Sequence, residues 1–329
     1  MGDANVKFAP LGRPGNAQSP SHSRYSLESS AQCVVRHFFV ADGMRHMKAC
    51  VLAAVLAIVS TGSAQAYTTY LKPDEFWTSD ADVVVEGAFA NHFFTPAVAI
   101  APRLTVLHPN GSDQPFRSVA VSGVTTRLET SLPNGGTYRV STGEQLGAVT
   151  TLVGVDGQWR PLASGEAVPE GAPTTSIQTV TVSDVYVTRG GPTRTVVDRT
   201  IGRLAIRPVT HPNQVLTANG FDIEILYNGA PLANTAVVIY AAGDSDTMVD
   251  RYVATGADGR AHVSLDAPGH YVIAARHRAT APAGSEAAVQ SHTTTLTFEA
   301  LVSLPRIVAV PEDAPPERAP RRRSGTRNY

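Results

Sequence analysis

From residue 67 onward, apolar residues recur with period two between turn dipeptides, and no window of twelve or more residues carries the 3.6-residue apolar stripe of an amphipathic helix. Alternation of that kind sends successive side chains to opposite faces of a strand, which predicts an all-β chain. Strands are expected over residues 82–89, 104–107, 119–121, 125–129, 137–141, 148–153, 158–162 and 177–188, with turns at Pro133-Asn134-Gly135-Gly136 and Asp156-Gly157 and a loop over 163–175. A second series, 203–208, 221–227, 235–240, 251–254, 260–265, 270–276 and 293–301, is punctuated by Asn228-Gly229, Asp258-Gly259 and Pro268-Gly269. Short strands at roughly ten-residue spacing predict β-sandwiches. The expectation is two consecutive β-sandwich-like domains, 67–200 and 203–302, joined near Gly202, with a disordered Pro- and Arg-rich tail over 303–329 that includes Arg321-Arg322-Arg323.

The front of the chain has a different character. Residues 1–43 are polar and irregular, either a non-native extension or a genuine one, and Met44-Arg45-His46-Met47-Lys48 then opens an apolar run that ends in Ala64-Gln65-Ala66. A basic start, a short apolar stretch and an Ala-x-Ala site have the form of a secretory signal peptide over 44–66, cleaved after Ala66 to leave Tyr67 first. The apolar run, about twelve residues over 49–60, falls short of the about twenty that span a bilayer. Both cysteines, Cys33 and Cys50, precede the cleavage site, so the mature chain is expected to be disulfide-free, without a transmembrane segment, and periplasmic or secreted. The whole chain has 27 Lys and Arg against 28 Asp and Glu; six basic and three acidic residues lie in 1–66, leaving 21 against 25. That mildly acidic balance excludes a nucleic-acid binder acting through bulk charge.

The start Tyr67-Thr68-Thr69-Tyr70-Leu71-Lys72-Pro73, the segments Val83-Val84-Val85-Glu86-Gly87-Ala88-Phe89-Ala90 and Phe93-Phe94-Thr95-Pro96, and then residues 203–213, 227–233, 255–260 and 293–299 resemble an exported bacterial family, domain of unknown function 4198. The resemblance implies a periplasmic component of nickel or cobalt uptake, with a permease as partner. The second half alone, through Gly229-Ala230-Pro231-Leu232-Ala233, Thr255 to Arg260 and Pro268-Gly269-His270-Tyr271, is similar to carboxypeptidase-regulatory-like and transthyretin-like (Ig-like) sandwiches. Members of the exported family commonly begin with a histidine whose amino group and imidazole chelate together; Tyr67 stands there in this chain and supplies only the amino group.

Seven histidines follow residue 66: His92, His108, His211, His262, His270, His277 and His292. Parity places His262 toward solvent, and sets His277 and His292 opposite one another if 272–277 and 292–298 pair around a loop over 278–291. Two facing imidazoles suit Ni, Co, Cu or Zn, so His277 and His292, with the α-amino group of Tyr67, are the expected metal ligands for a Ni or Co ion. The same two residues also read as polar strand ends beside a loop. Imidazole binds metal when neutral, which predicts affinity falling below about pH 6.5. His92, His108 and His211 are expected at the surface or in turns. No mature Cys nucleophile, Gly-x-Ser-x-Gly elbow or phosphate loop is present, and carboxylates such as Asp74-Glu75 and Asp80/Asp82 pair with nothing diagnostic. The chain is therefore expected to be a non-catalytic binding protein for a transition metal. The alternative is a sandwich that binds a protein, such as an outer-membrane receptor, or a glycan at the cell surface.

Overall fold

A computed structural model describes residues 68–306 apart from Pro102, Pro115 and Met248. The expected extension, signal peptide, Tyr67 and the tail beyond Arg306 lie outside the described residues. Among the described residues there are twenty strands and no helix.

In chain order the first seven are β1 (Thr68–Pro73), β2 (Trp77–Thr78), β3 (Asp82–His92), β4 (Thr95–Ala99), β5 (Thr105–Leu107), β6 (Asp113–Gln114) and β7 (Ser118–Ser122). Then come β8 (Thr125–Ser131), β9 (Gly136–Ser141), β10 (Gln145–Val155), β11 (Gln158–Pro161), β12 (Thr174–Arg189) and β13 (Leu204–Pro208). The last seven are β14 (Phe221–Tyr227), β15 (Ala230–Pro231), β16 (Ala236–Ala241), β17 (Tyr252–Ala254), β18 (Arg260–Val263), β19 (Gly269–Thr280) and β20 (Val289–Ala300).

They form three sheets. An eleven-stranded sheet runs β17-β16-β19-β20-β12-β9-β5-β6, with β10 and β2 also on β12 and β11 on β10. A five-stranded sheet, β1-β3-β8-β7 with β4 on β3, covers one face, and a four-stranded sheet, β13-β14-β15 with β18 on β14, covers the other. Register makes the two faces explicit. Val185, Thr297 and Val272 align across β12, β20 and β19, as do Asp184, Leu296 and Ile273 one residue away. The first row faces the five-stranded sheet, where Val185 and Val187 pack with Leu71, Val85, Leu128 and Tyr138. Val272 and Ala274 meet Tyr70, Ala88 and Phe93 on that same side. The second row faces the four-stranded sheet, where Tyr186, Leu296 and Ile273 pack with Ile206, Phe221, Ile223 and Ile225. Both faces of the central strands are thus dry, and residues 182–189 of β12 are buried without interruption.

The all-β, sandwich-like class expected from the alternation is what the fold shows. The expected join near Gly202, however, does not divide the sheets: β12 precedes it, β20 follows it, and the two pair in parallel from Ile177↔Val289 to Val185↔Thr297. Parallel neighbours need a long connection, which here carries the whole four-stranded sheet with it. Asp156-Gly157 and Asn228-Gly229 are turns as expected, with φ of 52° and 76°, and 52° and 79°, the doubly positive geometry of two-residue hairpins.

Buried polar groups cross-link neighbouring strands and the loops beside them. Arg139 on β9 donates from Nε and Nη2 to the two carboxylate oxygens of Asp184 on β12, at 3.1 and 2.6 Å, with both side chains buried. Asn213 donates to the carbonyls of Phe76 and Tyr186, each at 2.9 Å, and accepts from Thr188 Oγ1.

Candidate functional site

His277 and His292 are direct partners in the antiparallel β19–β20 ladder, as parity predicted. They do not close the strands, contrary to the expected loop over 278–291. The ladder continues through Arg278↔Ser291, Ala279↔Gln290 and Thr280↔Val289 before the chain turns. The pair is therefore held inside a rigid ladder. Both side chains share parity with Tyr271 and Ile273 or with Leu296 and Phe298, and so point toward the four-stranded sheet.

From that sheet Tyr227, the last residue of β14, lies over both imidazoles, with ring centroids 4.5 Å from His277 and 5.4 Å from His292. The Arg203 guanidinium sits 5.2 Å from the Tyr227 centroid and is held by Asn228 Oδ1 at 2.8 Å and Gln290 Oε1 at 3.2 Å. His292 is only 2% exposed, and its Nε2 has no hydrogen-bond partner; Tyr227 Oη and Thr294 Oγ1, on the same interlayer side, are also buried without partners. Buried polar atoms are ordinarily hydrogen-bonded, within the protein or to water.

Electrostatics keep the imidazoles neutral. Burial, joined by the Arg203 guanidinium and by His277 and partly offset by Glu144, holds His292 at about 4. Burial also lowers His277. An open cavity of about 500 Å³ beside β16 and β19 is lined by His277 together with Asn234, Thr235, Arg276, Arg278 and Ser291, and His292 is not among its lining residues. Two neutral imidazoles and a phenol form a nitrogen-rich, borderline donor set that fits a first-row divalent metal. Among the described residues no group of three or more His, Cys, Asp or Glu could hold a metal ion.

The expected third ligand, Tyr67, lies outside the described residues. Thr68 is on the opposite side of the large sheet from the imidazole pair. Thr68 accepts from Arg276 at 3.1 Å, and Arg276 has the parity opposite to His277. Of the remaining histidines, His262 is exposed beside Asp222 and His92 is exposed, as expected. His211 stands in a turn, as expected, but its ring is buried: Nδ1 accepts from Asn213 N at 3.2 Å, and Nε2 lies 3.0 Å from Thr137 Oγ1 and 3.1 Å from Thr193 O. Both ring nitrogens are used, which makes it a structural cross-link.

Sequence reasoning missed a second cluster. His270 and Glu299 are cross-strand partners 3.8 Å apart in a cleft of about 310 Å³ that Asp74, Glu75, Phe76 and Trp77 also line. Burial raises Glu299, and burial with Lys72 lowers His270.

The family profile described as "Domain of unknown function (DUF4198)" matches residues 64–279. The chain belongs to the DUF4198 family. The matched span includes His277 but stops short of His292, so the facing half of the pair lies outside it. No curated protein matches this DUF4198 chain. Among solved structures it is similar to the D0-D1 domain of intimin, at 12% identity over 70% of this chain and 97% of that one, TM-score 0.18. It is also similar to trypsin-activated α2-macroglobulin from Escherichia coli, at 10% identity over 70% of this chain and 15% of that one, TM-score 0.20. Salmonella α2-macroglobulin reacted with methylamine gives 10% identity over the same shares, TM-score 0.18. Superpositions that loose do not define a common fold.

Proposed function

We propose that this DUF4198 protein is an exported, non-catalytic binding protein whose ligand is a first-row divalent transition metal, nickel or cobalt, held by His277 and His292 with Tyr227 above them. The observation that carries the reading is the buried, unpartnered Nε2 of His292 on a residue whose direct cross-strand partner is His277, both imidazoles being lowered by burial. A role as an accessory to a metal-uptake permease follows from that chemistry and from the family resemblance. The nearby Arg203 charge weakens any cation site, and Glu144, which accepts from Arg203 N at 2.7 Å, partly compensates it.

Calorimetric titration of Ni(II) and Co(II) into the purified protein tests this. The parent should bind one equivalent at micromolar metal, His277→Ala should weaken binding at least tenfold, and His277→Ala with His292→Ala should abolish it. Because burial lowers both imidazoles, binding should persist below pH 6.5, where ordinary histidines lose it. No binding in the parent, or unchanged affinity in the double variant, would leave the second reading, a protein or glycan interaction module at the cell surface. That reading is favoured by β7, an edge strand with Val121 56% exposed, the kind of edge to which a partner strand adds.

A further inference from the structure

β7 ends the five-stranded sheet: it pairs with β8, and among the described residues no strand lies along its other side. An open edge presents unpaired backbone groups, which native sheets ordinarily blunt with proline, charge, a bulge or shortness. The other edges of this fold are blunted in those ways. β1, β4, β11, β13 and β15 each contain a proline, at Pro73, Pro96, Pro161, Pro208 and Pro231. β6 and β18 carry Asp113 and Arg260, β2 and β17 are two and three residues long, and the open stretch of β10 is broken by a register shift between Leu146 and Val149. β7 is the exception. Residues 118–124, Ser-Val-Ala-Val-Ser-Gly-Val, contain neither proline nor charge, and Val121 and Val124 are 56% and 46% exposed. Arg117, just before them, is turned back onto its own sheet, with Nη2 2.9 Å from Asp82 Oδ1 and donating to Ser131 Oγ at 2.7 Å.

The direction of the open backbone groups follows from the hairpin. β7 turns into β8 through Gly123-Val124, with φ of +58° at Gly123, and Ser122 pairs with Thr125. The pair that closes a two-residue turn exchanges its backbone bonds, and such pairs alternate along an antiparallel ladder. The N–H and C=O groups of Ser118, Ala120 and Ser122 therefore point to β8, and those of Val119 and Val121 point to the open edge.

Ser118-Val119-Ala120-Val121-Ser122 reads the same in both directions about Ala120. Two copies laid antiparallel place Val119 opposite the partner's Val121, Val121 opposite the partner's Val119, and Ala120 opposite the partner's Ala120. Each valine pair exchanges both its backbone bonds. The valine side chains become cross-strand neighbours on the face where Val119 already packs beside the core. Arg117 falls opposite the partner's Gly123, so no like charges meet. We infer that β7 is a self-pairing edge, through which two copies of this chain join their five-stranded sheets about a two-fold axis at Ala120. Any extended strand could take the backbone bonds, but the palindrome matches this strand to itself side chain for side chain, as an isologous contact requires. The inference is independent of metal binding at His277 and His292.

Sedimentation equilibrium of the purified protein tests it. Five paired residues bury less than a standard interface, so the parent should dimerise with a Kd of roughly 10 μM to 1 mM. Ala120→Lys sets two ammonium groups opposite each other at the axis and should weaken association at least tenfold; since Ala120 is exposed, far-UV circular dichroism should not change. Register is read by cross-linking in chains carrying Cys33→Ser and Cys50→Ser. Under mild oxidation Ala120→Cys should give a disulfide-linked dimer, whereas Ser122→Cys, whose two copies stand about four residues apart along the strands, lies beyond disulfide reach. A parent still monomeric at about 1 mM would overturn the inference and leave the edge to a foreign strand. Undiminished association of Ala120→Lys, no cross-link in Ala120→Cys, or equal cross-linking in Ser122→Cys would overturn it as well.

Discussion

Acidification provides a sharp test of how His292 is held. In an unfolded chain its imidazole titrates near 6.5; in the fold, burial, aided by Arg203 and His277, holds it at about 4. Above pH 6.5 neither state carries the proton, and His292 leaves the folding equilibrium unchanged. Between 6.5 and about 4 the unfolded chain takes up a proton that the folded chain refuses, so stability falls as pH falls; below about 4 both states are protonated and the loss levels off. At 1.36 kcal/mol per unit, the full span amounts to about 3 kcal/mol. Replacing His292 by Gln removes the titration while retaining a polar side chain. Urea unfolding followed by the fluorescence of Trp77 and Trp159 at pH 7.5, 5.5 and 4 should show the parent losing about 3 kcal/mol more than His292→Gln across that interval. His108, His211, His270 and His277 are lowered as well, so both proteins lose stability and the difference between them is the diagnostic quantity. Equal losses, or a His292 midpoint near 6.5 by proton NMR, would refute the buried-imidazole account.

The Arg139–Asp184 pair should behave as a buried unit. Asp184→Asn is expected to cost about 3–5 kcal/mol in chemical denaturation, because it leaves a guanidinium uncompensated in the core, whereas Arg139→Met with Asp184→Leu should cost less than either single change. Gly259 has φ of +73°, and an added Cβ would sit 2.8 Å from Ile225 O, while at Gly157, with φ of +76°, the space is open. Gly259→Ala should therefore destabilise by more than the about 1–2 kcal/mol of left-handed strain that Gly157→Ala incurs, read as the difference in urea midpoints.

What could be read in advance followed the range of the interaction concerned. The Asp156-Gly157 and Asn228-Gly229 turns are local chemistry, and their φ values match the residues. The facing of His277 and His292 was legible because one short hairpin sets both parities. β1 was not legible as a strand: Tyr70 enters one core and Leu71 another, so a strand buried on both faces shows no alternation. Tyr227 was legible as the end of the strand over 221–227, but its place above the imidazoles was not, since that depends on how the four-stranded sheet lies over the large one. Nor does any short-range signal reveal that His211 turns inward, because its partners Thr137 and Thr193 are 74 and 18 residues away.

The parallel pairing of β12 with β20 has a bearing on how the chain acquires its shape during synthesis. Ser183 and Thr295, hydrogen-bonded across that junction, are 112 residues apart. A ribosome delivers the N-terminal end first, so β12 emerges with β9 and β10 available and its other edge open until nearly all of the described chain has followed. Closing so long a segment is slow and entropically unfavourable until the whole ladder forms. Nascent molecules of this protein thus pass through an extended period in which an apolar strand edge stays unpaired. That delay keeps the polypeptide threadable, and it also makes β12 the segment that most needs shielding from other nascent chains until β20 arrives.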